Sequence, residues 1–230
     1  LGQEESHLVH TRTSSFGLFA LESFNFDLFD LDIGGRIESV NLKNTSMEKG
    51  FFPGAFSSTI KREIFTNNTF YGGFDFTERA PNAVELFANG PHHALEQFEV
   101  GDSNMDVETS YNFSLGYSYN EGLDTLKIET YYNYIDDFIA ADRDGNTTEV
   151  EGEDMNNVNF SQYNALFTGL EVSGQYAFAK INDFDFISNV MIDFLKGYRN
   201  SNDKALSRIP QTKMNFGVKA TNEDWDANLH

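Results

Sequence analysis

The sequence predicts an all-β protein in which about ten antiparallel strands form a segment of a large transmembrane β-barrel. Two regularities predict it. First, the connections between apolar runs alternate in length: short at 24–27, 66–68, 120–122, 180–183 and 221–224, long at 42–54, 80–106, 137–160 and 197–210. Consecutive strands then have one end with tight turns and one with long loops, the layout of outer-membrane barrels. Second, the runs alternate with a period of two, and one face carries almost no charge. A soluble sandwich also alternates, but its solvent face usually carries more lysine and its loops need not alternate in length.

Taken in order, the run from Ser15 to Ser23 has no clear phase. One face would carry Gly17, Phe19 and Leu21, the other Phe16, Leu18, Ala20 and Glu22. The next strand is clearer, with Phe29, Leu31, Ile33, Gly35 and Ile37 set against Asp30, Asp32, Gly34, Arg36 and Glu38. Ala55–Phe65 and Thr69–Thr77 form a pair joined at Asn67-Asn68, with Arg62 snorkelling from a strand end. Then Tyr111, Phe113, Leu115 and Tyr117 oppose Asn112, Ser114 and Ser118, and Leu126, Ile128 and Tyr132 oppose Lys127, Glu129 and Asn133. Residues 137–160 read as a long loop. Beyond it, Leu166, Leu170 and Val172 oppose Glu171 and Ser173; Val190, Ile192 and Phe194 oppose Asn189 and Asp193; Met214, Phe216 and Val218 oppose Asn215 and Lys219. Phe29, Ile33, Phe113, Leu115, Ile128, Leu170 and Ile192 are thus expected to face lipid, and Asp32, Glu129 and Glu171 the lumen.

Composition narrows the partners. A net charge of -20 argues against nucleic acid, because phosphate binding needs a basic surface. The 23 Phe and 10 Tyr are too many for a disordered acidic chain, and with no cysteine there is no disulfide or thiolate chemistry. No apolar run approaches the roughly 18 residues of a membrane helix, which leaves a β-barrel open. Membrane lipid is therefore the expected surrounding. The start at Leu1, without a signal peptide, suggests a mature or partial chain.

The stretch Glu78-Arg79-Ala80-Pro81-Asn82-Ala83-Val84-Glu85-Leu86-Phe87-Ala88-Asn89-Gly90-Pro91-His92-His93 breaks the strand pattern sharply. Pro81 removes a backbone donor and biases Ala80 away from helix, so the strand ends there. Arg79, Pro81, Glu85 and Gly90 read most simply as residues that end the strand and fix the path of the loop. With Phe98-Glu99-Val100-Gly101-Asp102 and Glu108-Thr109-Ser110, this block resembles the Arg-Ala-Pro…Glu-Leu-Phe…Gly-Pro-His segment of TonB-dependent outer-membrane receptors, and most of all their zinc-uptake branch. Arg208-Ile209-Pro210 is similar to a late extracellular loop of the family. The resemblance implies integral placement in a bacterial outer membrane and a barrel of about 22 strands. It also implies a plug domain and a TonB-contacting N-terminal region, both absent from this chain. Active transport of a scarce ligand, with zinc or a metal chelate as cargo and no resident cofactor, follows by the same resemblance. A siderophore or cobalamin receptor of the same architecture, or a surface adhesin without transport, stays open.

His92 and His93, with Glu96, Glu99 and Asp102 close behind, form a candidate metal cluster, since imidazole suits zinc and carboxylates can complete a site. Adjacent histidines in an acidic loop are also often simply solvated. His7 and His10 are a second candidate pair, although an extended segment would point the two imidazoles to opposite sides. Asp142-Arg143-Asp144-Gly145-Asn146 invites a calcium reading, but an EF-hand needs glycine where Thr147 stands and helices on both sides. No nucleophile with its base and no phosphate-binding glycine loop is present, so catalysis is not expected.

Overall fold

The computed structural model describes residues 8–200, 204–207 and 209–229. His7 and Arg208 lie outside the described residues. In chain order the elements are β1 (Arg12–Asn25), β2 (Asp30–Lys43), β3 (Glu48–Phe51), β4 (Gly54–Phe65), β5 (Asn68–Arg79), helix α1 (Ala83–Phe87), β6 (Asn89–His92), a 3-10 turn (His93–Leu95) and β7 (Gln97–Val100). There follow β8 (Glu108–Glu121), β9 (Asp124–Val150), β10 (Glu153–Ile181), β11 (Phe184–Arg199), β12 (Lys204–Ala205), β13 (Lys213–Thr221) and β14 (Asp226–Leu229).

The main path of the sheet is β1-β2-β4-β5-β8-β9-β10-β11-β13-β14, ten strands, with each neighbouring pair antiparallel. Tight turns serve one end, where Asn67, Gly122 and Asn182 take the positive φ such turns require. Among the described residues β1 and β14 are the ends of the path, so this is an open arc of wall.

Register separates two faces. One continuous row runs Leu31, Ile60, Gly72, Leu115, Thr130, Leu170, Phe194. The row beside it, on the opposite face, runs Asp30, Lys61, Tyr71, Gly116, Glu129, Glu171, Asp193, Lys213. The apolar face stands bare: Phe113, Leu115 and Met214 are each more than half exposed, as side chains that meet lipid instead of protein must be. Ile33, Phe113, Leu115, Ile128, Leu170 and Ile192 fall on it, as the alternation predicts. Phe29 differs: its carbonyl accepts from Phe26 N–H at 2.9 Å, which makes it a turn residue just before β2. Pairing also fixes the phase of β1, because Leu18 lies opposite Ile37 and Phe19 opposite Arg36. Phe16, Leu18 and Ala20 join the apolar face. On the polar face the Tyr71 ring lies over Gly116, where a Cβ would collide with it, and its hydroxyl donates to Glu129 at 2.6 Å.

The largest departure from the sequence pattern lies at 137–160. No loop stands there. β9 and β10 run for 27 and 29 residues and form a ribbon that turns only at Glu151-Gly152. A membrane strand needs about 9–11 residues, so the ribbon reaches far past the bilayer. The period of two is hidden because the pairing slips twice, between Tyr163 and Ala165 and between Asn156 and Val158, with Asp137 and Gly145 at positive φ. The connection at 42–54 likewise holds a short strand: β3 folds back on β2 through a turn in which Asn44 Oδ1 accepts from Ser46 and Met47 N–H.

Candidate metal-capture loop

The loop between β5 and β8 is built from its base upward. Asn82 caps α1: its side chain accepts from Val84 and Glu85 N–H at 2.9 and 3.0 Å, and Glu85 reaches back to Asn82 N–H at 2.7 Å. This reciprocal capping stabilises a helix too short to persist alone. The helix buries Leu86 and Phe87 against Leu42, Met105 and Ile139. Leu42 shares its face with Glu38 and Arg36, so the loop folds over the polar face at the rim.

Arg79, the last residue of β5, holds both limbs. Its guanidinium meets Glu85 at 3.0 Å and Glu108 at 3.2 Å, and Glu108 also accepts from Ile139 N–H at 2.8 Å. Both carboxylates are nearly buried, whereas the arginine stays partly exposed. The returning limb crosses the helix, with Gly101 N–H donating to Ala88 O at 2.8 Å and Asp102 N–H to Glu85 O at 2.9 Å. Above this base the tip is a hairpin of β6 and β7, closed by the 3-10 turn and by Glu96 at φ 52°. β7 then docks in parallel on β10, Gln97–Val100 against Asn156–Asn159.

The structure brings His92 and Glu99 together. The ring Nδ1 lies 3.0 Å from Glu99 Oε1, and Glu99 is only 6% exposed. His93 and Glu96 are exposed in the turn, and Asp102 is exposed with its Oδ1 accepting from Asn104 N–H at 2.8 Å. His10 is exposed just before β1. Its segment is pinned to the loop by an antiparallel bridge between Leu8 and Ala88, so it runs from Leu8 to His10 against the direction from Ala88 to His92. Among the described residues no three of His, Asp and Glu gather closely enough to hold a metal ion.

Sequence reasoning missed the partner of Arg79 on the far limb. The signal was there: Glu108 opens β8 directly opposite Arg79. It also missed a cavity of about 680 Å³ on the ribbon, lined by Asp142, Arg143, Asp144, Tyr163, Arg199 and Ser207. There Arg199 lies 3.5 Å over the Tyr163 ring and 3.5 Å from Asp142. Burial and then the Asp142 charge push the Tyr163 hydroxyl's pKa up, against the pull of Arg199. Asp144 sits below the usual carboxylate range because Asn146 N–H, and then the amides of Asn146 and Asn159, bond to it. Each of its oxygens accepts from its own ribbon, and strands flank it where an EF-hand has helices. Asp137 is raised by burial, then by Asp136 and Asp106.

Residues 8–229 match the family described as TonB dependent receptor-like, beta-barrel. The chain belongs to this family. Its members are transporters, not enzymes, and its barrel homologues are outer-membrane proteins. Similar solved structures include the copper transporter OprC, 18% identical over 95% of this chain and 34% of that one, with a TM-score of 0.77. The hemophore receptor HasR of Serratia marcescens, solved as a double mutant with its hemophore HasA and heme, is 15% identical over 94% of this chain and 43% of that one (TM-score 0.64). The F5-1 variant of the FrpB iron transporter from Neisseria meningitidis is 15% identical over 93% and 31% (TM-score 0.63). The TonB-dependent barrel segment therefore spans less than half of each, and at these identities the likeness establishes the fold alone.

Proposed function

We propose that this barrel segment belongs to a bacterial outer-membrane receptor that captures a scarce metal ion, zinc first, for TonB-energised uptake. The single observation that carries the reading is His92 held against the nearly buried Glu99 on a loop folded over the polar face. A metal-binding histidine commonly gives its other ring nitrogen to a carboxylate, which fixes the tautomer and aims the ring. Glu99 bonds Nδ1, which aims the ring at the loop tip. Glu99 orients; His92 binds. His93, Glu96, Asp102, His7 and His10 supply further ligands only if the loop tip and the N-terminal segment close on the ion, together with groups from the plug. TonB acts through that plug region, outside this chain. The similar copper transporter adds support for a metal cargo.

The test is zinc binding by the intact receptor, purified from membranes without chelator. Replacing His92 and His93 together by alanine lowers zinc affinity and zinc-limited growth and leaves barrel insertion unchanged. Affinity in the native receptor falls at acid pH, because a ligating imidazole must be neutral. Unchanged zinc binding by the double variant removes these histidines from the mechanism. A chelated cargo, siderophore or cobalamin, then moves ahead, in keeping with the missing three-ligand group among the described residues.

A further inference from the structure

We propose that Arg79 is a positioning residue that sets where the loop tip, with the His92–Glu99 pair, sits above the barrel mouth. The role in capture rests on the metal reading; the role in position does not. β7 is held on β10 by only four paired positions, and parallel pairing is slightly weaker per residue than antiparallel. So short a contact needs both of its partners placed in advance. Arg79 places both. Through Glu85 it holds the outgoing limb and the helix, and the helix carbonyls in turn receive the returning limb at Gly101 and Asp102. Through Glu108 it holds the carboxylate that accepts from Ile139 N–H, where β9 leaves β8 and the ribbon begins. One guanidinium thus ties the base of the loop to the foot of the ribbon on which the tip docks. Its rigid, multiply donating fork suits two carboxylates from different elements, which an ammonium would serve as a point charge only. Without it two nearly buried carboxylates face each other unneutralised, and the loop lifts.

This chain has no cysteine of its own, so a thiol pair placed in it has no rival within it. Phe98→Cys and Asn157→Cys place two thiols at paired positions of β7 and β10. In the intact receptor in its membrane, these form a disulfide under mild oxidant. Adding Arg79→Gln lowers the rate of closure roughly ten- to hundredfold, as expected for loss of hydrogen bonds to charged groups. Arg79→Lys restores only part of it. An unchanged closure rate in Arg79→Gln overturns the proposal. Should that variant fail to reach the membrane, Glu85→Gln, which removes one arm only, is read in the same way with a smaller decrease. A lowered closure rate in a receptor whose native form binds no zinc upholds the positioning role and overturns the metal reading instead.

Discussion

Ile128 and His92 belong to regions of the chain that are held in opposite ways. Around Ile128 the wall is a repeated pattern: each strand pairs with its neighbours by backbone, and any apolar side chain of suitable size serves on the lipid face. Around His92 the loop depends on particular residues, each with a named partner: Arg79 with two carboxylates, Asn82 with Glu85, Gly101 with Ala88. The wall resists substitution by similar residues and fails when its polarity is inverted. The loop fails when one atom is misplaced.

Inverting polarity gives the largest expected effect. Ile128→Arg puts a charge on the lipid face and costs about 2–4 kcal/mol if the position lies near the midplane. Its neighbour Lys127 points to the polar face and pairs with Glu129 at 3.0 Å, half-exposed. Lys127→Ala therefore costs less than about 1 kcal/mol, as exposed pairs do. Equal denaturation midpoints for the two variants in bilayers would break the assignment of faces.

This contrast also explains what the sequence could reveal. Wall strands announce themselves because one medium, lipid, demands apolar residues at every second position; ten strands were legible for that reason. The motif loop was legible through Pro81 and the histidines, yet only the structure shows that Arg79 reaches across to Glu108 and that Glu99 orients His92. The ribbon was illegible. Past Asp136 both of its faces meet water or loop, so no medium enforces the alternation, and the slip opposite Asn164, where β9 steps from Ile135 to Phe138, reverses its phase. Polar strands such as Asp142-Arg143-Asp144 then read as a loop.

A glycine in each region gives the next effect. At Gly101 an added Cβ would sit 2.8 Å from the Glu85 carbonyl oxygen, which is helix backbone fixed by the capping contacts. At Gly116 it would meet the Tyr71 ring, a side chain that can turn aside. Gly101→Ala is therefore expected to cost about 1–3 kcal/mol of loop docking. Proteolysis should become faster within 80–107, with the barrel's thermal transition unchanged. Gly116→Ala should do the reverse, lowering the barrel's stability by about 1 kcal/mol with no change in loop cleavage. If both variants shifted the same readout, wall and loop would be a single cooperative unit.

The smallest energetic effect carries the most information about direction. A short epitope inserted at Glu151-Gly152 enters a turn whose residues already take positive φ, at the far end of the ribbon, so stability should hardly change. β8 stops pairing with β9 at Asp136, and the 12 steps of β10 from Ala165 to Glu153, which pair with β9 over this stretch, carry the turn roughly 40 Å along the strand at about 3.3 Å per residue. An epitope there clears the membrane surface and is labelled on intact cells if the loop-bearing end is extracellular. The same epitope at Gly122 sits in a tight turn of the opposite end and is labelled only after the outer membrane is opened. Labelling of Gly122 but not of Glu151-Gly152 would invert the barrel. The His92 loop would then face the periplasm, where it could not meet an external ligand first, and the capture reading would fail with it.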